Sequence, residues 1–186
     1  MPSVEHRTAR KDYPENGIAK GEKYYFAQVK TGPRSSRTIR QKEPIRPSQL
    51  TSSAFKQAFL GAQEEWEKSD KDADAMRSAG GAIREAGEDA RNSFDNMPEG
   101  LQQGETGQML ENRADESDRI ADELDALADE LEALDEPDEY DDSNHDPEDE
   151  ADVAAFEEWQ ETVDNHQSEV ARIIEEADCL IGDMPE

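Results

Sequence analysis

The sequence predicts a mostly α-helical protein, an elongated antiparallel helical bundle or a set of coiled-coil hairpins, with a small N-terminal β-hairpin. Two observations predict this class. Leu, Ile, Val and Phe together number 27 of 186 residues, and the formal net charge is −28, so the chain can bury little apolar surface per residue. Apolar residues also recur at helical spacing in three stripes. We therefore expect long helices that share narrow apolar seams.

Charge divides the chain into a basic part and an acidic part. Residues 1–50 hold 11 Lys and Arg against 5 Asp and Glu, which gives a net charge of +6. Residues 51–186 hold 9 against 43, which gives a net charge of −34. We therefore expect a basic N-terminal arm, residues 1–50, followed by an acidic helical body, residues 51–186. The arm can fold onto its own body or onto another molecule.

The basic arm contains two segments of strand character. Residues 1–19 show little periodicity and are expected to be mostly irregular. Residues 23–30 are rich in aromatic and β-branched side chains, and the turn-forming residues 31–36 end this run. Residues 37–41 can pair back as a second strand. Because a two-stranded hairpin is marginally stable alone, we expect it to lean on a helix.

Aromatic rings and cations are interleaved in this hairpin. Since cations neutralise phosphates and flat rings stack on bases, the arm is a candidate nucleic-acid-binding site. The alternative is that the rings form the buried face of the hairpin, while the cations are solvated or neutralise the acidic helices. We favour this structural interpretation, because the arm is tethered to an acidic body. The candidate nucleic-acid-binding residues are Lys23, Tyr24, Tyr25, Phe26, Lys30, Arg34, Arg37, Arg40 and Arg46.

The acidic body is expected to hold helices over about residues 50–96, 106–134 and 151–181, with an acidic linker over 135–150. In the first helix, a break is expected at Ser69–Asp72 and a kink at Gly80-Gly81. Each helix has its own apolar seam. The seam of the first helix runs through Phe59, Ala62, Trp66, Ser69, Ala73, Met76, Gly80, Ile83, Gly87, Ala90, Phe94 and Met97, and that of the second through Ile120, Leu124, Leu127, Leu131 and Leu134. The seam of the third helix runs through Val153, Phe156, Gln160, Val163, Gln167, Val170, Ile174, Ala177 and Ile181.

Three arginines recur every seven residues beside the first seam: Arg77, Arg84 and Arg91. One interpretation is a stripe that binds phosphates. The favoured interpretation is a row of salt bridges to the acidic helices packed alongside, because positions that flank a coiled-coil seam commonly carry such pairs.

Residues 96–109 form a weakly charged passage between the first two long helices. Asn96 and Glu99 match a variant of the capping box, Pro98 suits a first helical turn, and Gly104 suits a helix stop. The passage therefore predicts a corner with one short turn of helix. The apolar residues expected to plug this end of the bundle are Met97, Leu101, Met109 and Leu110.

The sequence offers no constellation that indicates catalysis, a metal or a cofactor. Asp142–Asp146 begins like a calcium loop, but Pro147 stands where the turn needs Gly, and Val153 stands where a bidentate Glu belongs. The three His are far apart and Cys179 is the single Cys, so zinc-ligand spacing is absent. We therefore expect a protein that is not an enzyme and has no metal or cofactor.

The cysteine count and the lengths of the apolar runs indicate the compartment of the protein. A single Cys allows no internal disulfide, which favours a reducing compartment. No apolar run approaches the roughly 20 residues of a membrane-spanning helix, and the N-terminus lacks an apolar signal core. These features predict a soluble, cytoplasmic protein without membrane contact.

Three segments of the chain carry a family resemblance: ARKDYPENGIAKGEKYY (Ala9–Tyr25), RPSQLTSSAF (Arg46–Phe55) and NMPEGLQQGETGQMLENR (Asn96–Arg113). In these segments the chain resembles a coil-containing, uncharacterised family of phage and prophage genomes. The resemblance implies a viral or mobile-element origin, with a role in the host cell or in association with the virion. It implies no catalytic residues.

From the sequence we expect a non-enzymatic interaction protein, whose acidic helical body binds a protein partner or a second copy of itself. One alternative is nucleic-acid binding through the basic hairpin. Another is that the acidic body imitates DNA and blocks a DNA-binding host protein, since carboxylates fixed along a helix such as Asp115–Glu132 resemble a phosphate backbone. The simpler explanation of this charge is that it keeps a thin bundle in solution.

Overall fold

The computed structural model describes residues 2–140 and 149–185, and within them it is mostly α-helical with a small N-terminal sheet. This confirms the predicted fold class. The calcium-like loop and much of the linker over 135–150 lie outside the described residues. The strands are β1 (Glu5–Thr8), β2 (Lys23–Lys30) and β3 (Ser36–Gln41). The helices are α1 (Ala54–Trp66), α2 (Ala73–Asp95), α3 (Glu99–Gln102), α4 (Glu105–Glu132) and α5 (Glu150–Gly182).

The N-terminal sheet has three antiparallel strands in the order β1-β2-β3, so the expected hairpin gains a strand. The expectation that residues 1–19 are mostly irregular is wrong at β1, which places Glu5 opposite Phe26 of β2. All four side chains of β1 are exposed. The strand is therefore specified by backbone pairing to β2, and it lacks the apolar alternation by which a half-buried strand is recognised.

The loop between β1 and β2 covers one face of the sheet. Ala9, Ile18 and Tyr24 form a small core of their own, with Tyr13 and Phe26 packed against it. The loop closes through the Tyr13 N–H, which donates to the Ile18 carbonyl at 2.8 Å. The arm therefore has a core separate from the one that the helices share.

The helix expected over about 50–96 is interrupted, because the chain leaves the helical path between Trp66 and Ala73. The interruption includes the predicted break at Ser69–Asp72, and the Asp72 side chain caps α2 by accepting from the Ala75 N–H at 2.8 Å. Because the connection is short, α1 folds back antiparallel to α2 and buries Phe59 in the common core. At Gly80-Gly81, where a kink was expected, α2 continues without interruption.

The seam between α2 and α4 forms the centre of the bundle. Met76 and Ile83 of α2 and Ile120 and Leu124 of α4 are each at most 1% exposed. Small residues line the same seam, so the two helix backbones approach closely. The seams read from the sequence for these two helices agree with this burial.

The α2–α4 corner is held by Gln102 of α3. Its side-chain amide donates to the carbonyls of Phe94 and Met97, both at 3.1 Å, and so closes the end of α2. Gly107 lies against the Gln102 backbone, where a Cβ atom would overlap the carbonyl group. The expectation that Leu101 plugs the bundle is wrong, because this side chain is 60% exposed. A turn of only four residues holds its backbone close to α2 and leaves that side chain pointing into solvent.

α5 joins the bundle through its C-terminal turns. Ile173, Ala177 and Ile181 are at most 2% exposed and belong to the common core. Of the expected third seam, only Ala177 and Ile181 are fully buried, since its members from Val153 to Ile174 are half-buried or exposed. At 1.5 Å per residue, the portion before Arg172 is about 30 Å long. It extends past the end of the bundle formed by α1, α2 and α4.

The narrow seams and the extended α5 leave much of the chain at the surface. The accessible surface is 12544 Å², whereas a compact monomer of this size exposes about 9,000 Å². The described helices include none that is long and apolar enough to cross a membrane.

Candidate interaction surfaces

The aromatic rings of the predicted nucleic-acid site are packed within the arm. Tyr24 is 5% exposed and lies in the small core. The Tyr25 ring meets His6 edge to face, with 4.2 Å between ring centroids. The guanidinium of Arg7 stacks on Phe26 at 3.6 Å from the ring centroid. The rings therefore stabilise the sheet, as the structural interpretation of the hairpin expects, and base stacking would require these contacts to open.

The cations of the predicted nucleic-acid site divide into two groups. Lys23, Lys30 and Arg34 are exposed, and none makes a salt bridge to another described residue. The other three are occupied within the protein. Arg37 donates to the Gln49 carbonyl, Arg40 lies over the rings of Tyr13 and Phe26, and Arg46 pairs with Glu65.

Glu64 of α1, which sequence reasoning missed, attaches the arm to the helices. This carboxylate is 8% exposed, accepts from the Ser48 N–H at 2.8 Å, and accepts from the Ser48 hydroxyl at 2.9 Å. Ser48 lies in the 3-10 turn Pro47–Leu50, so Glu64 satisfies a free amide at the start of that turn. As one of two adjacent glutamates in α1, in a chain with 48 Asp and Glu, Glu64 carries no signal that could have identified it.

Arg77, Arg84 and Arg91 form a ladder of salt bridges across the α2–α4 seam, as the favoured interpretation expects. Each arginine of α2 meets two carboxylates of α4, and each step along α2 by seven residues moves the partners back by seven along α4. The nitrogen–oxygen distances lie between 2.6 and 3.1 Å. The pairs are Arg77 with Asp129 and Glu132, Arg84 with Asp122 and Asp125, and Arg91 with Asp115 and Asp118.

The ladder favours the charged forms of its three arginines and of Glu132. The hydrogen bonds that Arg84 donates to Asp125 and Asp122 raise the pKa of Arg84, and the hydrogen bond that Arg77 donates to Glu132 lowers the pKa of Glu132. The arginines are therefore engaged by carboxylates and are poorly placed for phosphates. The same pairing engages six of the nine carboxylates of Asp115–Glu132, so this helix gives the DNA-mimicry hypothesis no added support.

Asp178 anchors α5 to the turn between α1 and α2. Its carboxylate accepts from Trp66 Nε1 at 2.6 Å and from Lys71 Nζ at 2.7 Å. Lys71 has a φ of +56°, which places its side chain against α5 from within a tight turn. Partial burial would raise the pKa of Asp178, but the hydrogen bonds from Lys71 and Trp66 outweigh it and lower the pKa.

The portion of α5 before Arg172 keeps an apolar stripe outside the core. Among the described residues, its N-terminal turns contact the segment that leaves α4: Trp159 Nε1 donates to the Asp138 carbonyl at 2.8 Å, and the Tyr140 ring meets the Phe156 ring edge to face. Farther along, Val163 and Val170 are half-buried and lie outside the core cluster. This stripe and Leu101 at the α2–α4 corner are two apolar surfaces that the bundle leaves accessible.

Clusters with metal-binding chemistry do not appear among the described residues: no three or more His, Cys, Asp or Glu side chains converge there. The open groove between α1 and α2, of about 570 Å³, is lined mainly by small side chains. Its polar end holds Arg46, Ser48 and Glu64, whose polar groups bind one another. This groove is therefore bordered by the attachment point of the arm.

Comparison with protein-family models, with curated proteins and with solved structures gave no match to this chain.

Proposed function

We propose that the protein is a non-enzymatic interaction protein of phage or prophage type, which binds a protein partner or a second copy of itself through its acidic helical body. One observation carries this proposal. The apolar seams of α1, α2 and α4 are buried inside the bundle. The apolar stripe of α5 instead continues beyond the end of the bundle, where Val163 and Val170 lie outside the core. Apolar stripes on helices are surfaces that other helices cover.

The distribution of ion pairs supports the same proposal. The carboxylates of α4 that face α2 are already paired with arginines of α2, so this surface of α4 has its partner within the chain. The resemblance of Asn96–Arg113 and two other segments to a phage and prophage family supports a role in an infected or lysogenic host, in the host cytoplasm or with the virion.

Sedimentation velocity with light scattering on the full chain tests self-association, and cross-linking in the infected host tests partner binding. We expect either a concentration-dependent oligomer or a complex of fixed stoichiometry that can be rebuilt from the purified components. A chain that stays monomeric at all concentrations and forms no such complex would contradict the proposal.

Nucleic-acid binding by the arm is the second candidate. It is favoured by the exposed cations Lys23, Lys30 and Arg34, which make no salt bridge to another described residue. If these cations bind phosphates, the full chain binds DNA or RNA at low salt and loses affinity steeply as salt rises. Changing all three to Gln would abolish that binding, and filter binding at two salt concentrations decides the matter.

A further inference from the structure

Two patterns on α5 continue past the end of the bundle, and the first is apolar. The face that buries Ile173, Ala177 and Ile181 in the core continues toward the N-terminus as Val163 and Val170. These positions follow one another at intervals of three, four and seven residues, so they lie on one side of the helix. The stripe that docks α5 is therefore longer than the bundle that receives it.

The second pattern is acidic and borders the stripe. Glu157 and Asp164 are seven residues apart, and Asp178 lies two further heptads along the same flank. Asp178, inside the bundle, has Lys71 as its cation at 2.7 Å. Glu157 and Asp164 are exposed, and no cation of the described chain lies within salt-bridge distance of them.

The bundle itself shows what satisfies such a surface. α4 also has an apolar seam with carboxylates at its edge, and α2 covers both, with Arg84 placed between Asp122 and Asp125. Without α2, the surface of α4 would combine half-covered apolar side chains with unmatched acids, as the surface of α5 does. Charge complementarity therefore defines the missing neighbour of α5 as a helix with an apolar seam and cations beside it.

We propose that the part of α5 between Glu157 and Arg172 docks one basic amphipathic helix of a partner protein. This deepens the proposed function and rests on it. Apolar side chains of the partner helix pack on Val163 and Val170, and its Lys or Arg side chains pair with Glu157 and Asp164. A second copy fits poorly, because residues 150–172 hold seven Asp and Glu against one Arg and would repel the same segment of another chain.

The test uses a synthetic basic peptide of four heptads as the probe, with Leu at the seam positions and Lys and Arg beside them. A matched peptide carries Glu in place of every Lys and Arg. Fluorescence anisotropy follows each labelled peptide as full-length protein is added, at low salt and at about 0.5 M salt, where exposed charges are largely screened. We expect the basic peptide to bind and to keep measurable affinity at the higher salt, and the acidic peptide not to bind.

The apolar half of the site is tested by Val163→Asp together with Val170→Asp. We expect binding of the basic peptide to weaken on the order of tenfold or more, although the added negative charge by itself would favour a basic peptide. The matched control is Ala154→Asp with Asn165→Asp, which adds the same charge at exposed positions on the opposite side of α5. The control is expected to bind at least as tightly as the unaltered protein.

The acidic half is tested by Glu157→Gln with Asp164→Gln, compared with Glu158→Gln and Glu161→Gln, which remove the same charge away from the stripe. We expect the first pair to weaken binding and flatten its salt dependence more than the second pair does. All these positions lie outside the core, so thermal unfolding followed by circular dichroism should be unchanged. That measurement separates a lost site from a lost fold.

Equal affinities for the stripe variants and their controls would overturn the proposal, as would failure of the basic peptide to bind. If the chain instead sediments as a dimer that Val163→Asp and Val170→Asp dissociate, the occupant is a second copy. The basic-partner proposal is then wrong while the interaction function stands. A partner complex in the host that ignores every α5 variant would likewise remove only this inference.

Discussion

Gly87 of α2 packs directly on Ser117 of α4: a Cβ atom on residue 87 would lie 2.6 Å from the Ser117 Cβ and 3.3 Å from the Ala114 carbonyl oxygen. Real Cβ atoms do not approach other carbon atoms that closely, so a glycine is required there for the observed distance between the helices. The short distance between α2 and α4 in turn sets how far the arginine side chains of α2 must extend to meet the carboxylates of α4.

Gly87→Ala is expected to destabilise the protein by about 1–3 kcal/mol, because α2 and α4 must move apart to admit the methyl group. Alanine is the better helix former by about 1 kcal/mol, so the propensity effect alone has the opposite sign. Gly81→Ala is the matched control, since Gly81 lies in the same helix with nothing within 4 Å of its added Cβ. That change should stabilise the protein by roughly 0.5–1 kcal/mol. Urea unfolding measures both free energies.

The same contact can be tested as a pair. Ser117→Gly removes the atom that Gly87→Ala would meet, so the double variant should be less destabilised than the sum of the single changes, by about 0.5–3 kcal/mol. Strict additivity in that cycle would mean that Ser117 is not the obstacle.

The pairing of α2 with α4 was predictable because the residues that form it recur at regular spacing along the sequence. Small and apolar residues at 3-4 spacing, such as Gly80, Ile83 and Gly87, can form a narrow seam only if another helix covers it. Arginines at heptad spacing beside that seam in an acidic chain have few other partners. Periodicity summed over several turns therefore indicated both the burial and the ladder before any coordinates.

The parts that could not be predicted depend on single contacts. β1 is held by backbone pairing and has no apolar alternation, so its residues resemble a loop. The break between α1 and α2 was expected, but the reversal of the chain there was not, because the seam residues on both sides keep helical spacing. Burial along α5 was overestimated because a heptad pattern shows that a face is apolar and does not show where its neighbour ends. In the candidate site, the stripe of α5 was identifiable and its projection beyond the bundle was not.

Reversing the charge at the centre of the ladder should destabilise the seam. In Arg84→Glu, a carboxylate would face Asp122 and Asp125, and we expect a loss of about 1–2 kcal/mol that shrinks as salt screens the repulsion. Adding Asp122→Lys and Asp125→Lys to that variant restores opposite charges across the seam and should recover most of the loss. Urea unfolding at low and high salt measures each variant.

The two Lys changes on their own provide the control for that swap. Beside an unaltered Arg84 they should destabilise the protein, because three cations then crowd one position. If the combined variant were no more stable than either of its parts, the register of the ladder would be wrong.

Removing the Glu64 carboxylate should release the arm from α1. In Glu64→Ala, the Ser48 N–H loses its acceptor at a largely buried site, which costs about 1–3 kcal/mol. We expect faster trypsin cleavage after Lys42, while the helical circular dichroism signal stays unchanged. Glu65→Ala is the control: its side chain is 71% exposed and pairs with Arg46, so its loss should alter cleavage little. Equal cleavage rates in the two variants would show that Glu64 does not hold the arm.

Asp178 should give the docking of α5 a defined dependence on pH. Its folded-state pKa is lowered, because hydrogen bonds from Lys71 and Trp66 outweigh desolvation. A group with a lowered pKa contributes stability above its unfolded value, near 3.9, and that stability is lost as the pH falls through the folded value. Asp178→Asn should therefore cost about 1 kcal/mol or less at neutral pH, since solvent screens this exposed pair. The difference from the unaltered protein should be constant between about pH 5 and 8 and shrink below about pH 4. Urea unfolding followed by Trp66 fluorescence, in a Trp159→Phe background, measures this difference, and a gap that widens toward low pH would mean that Asp178 is not held as a carboxylate by Lys71.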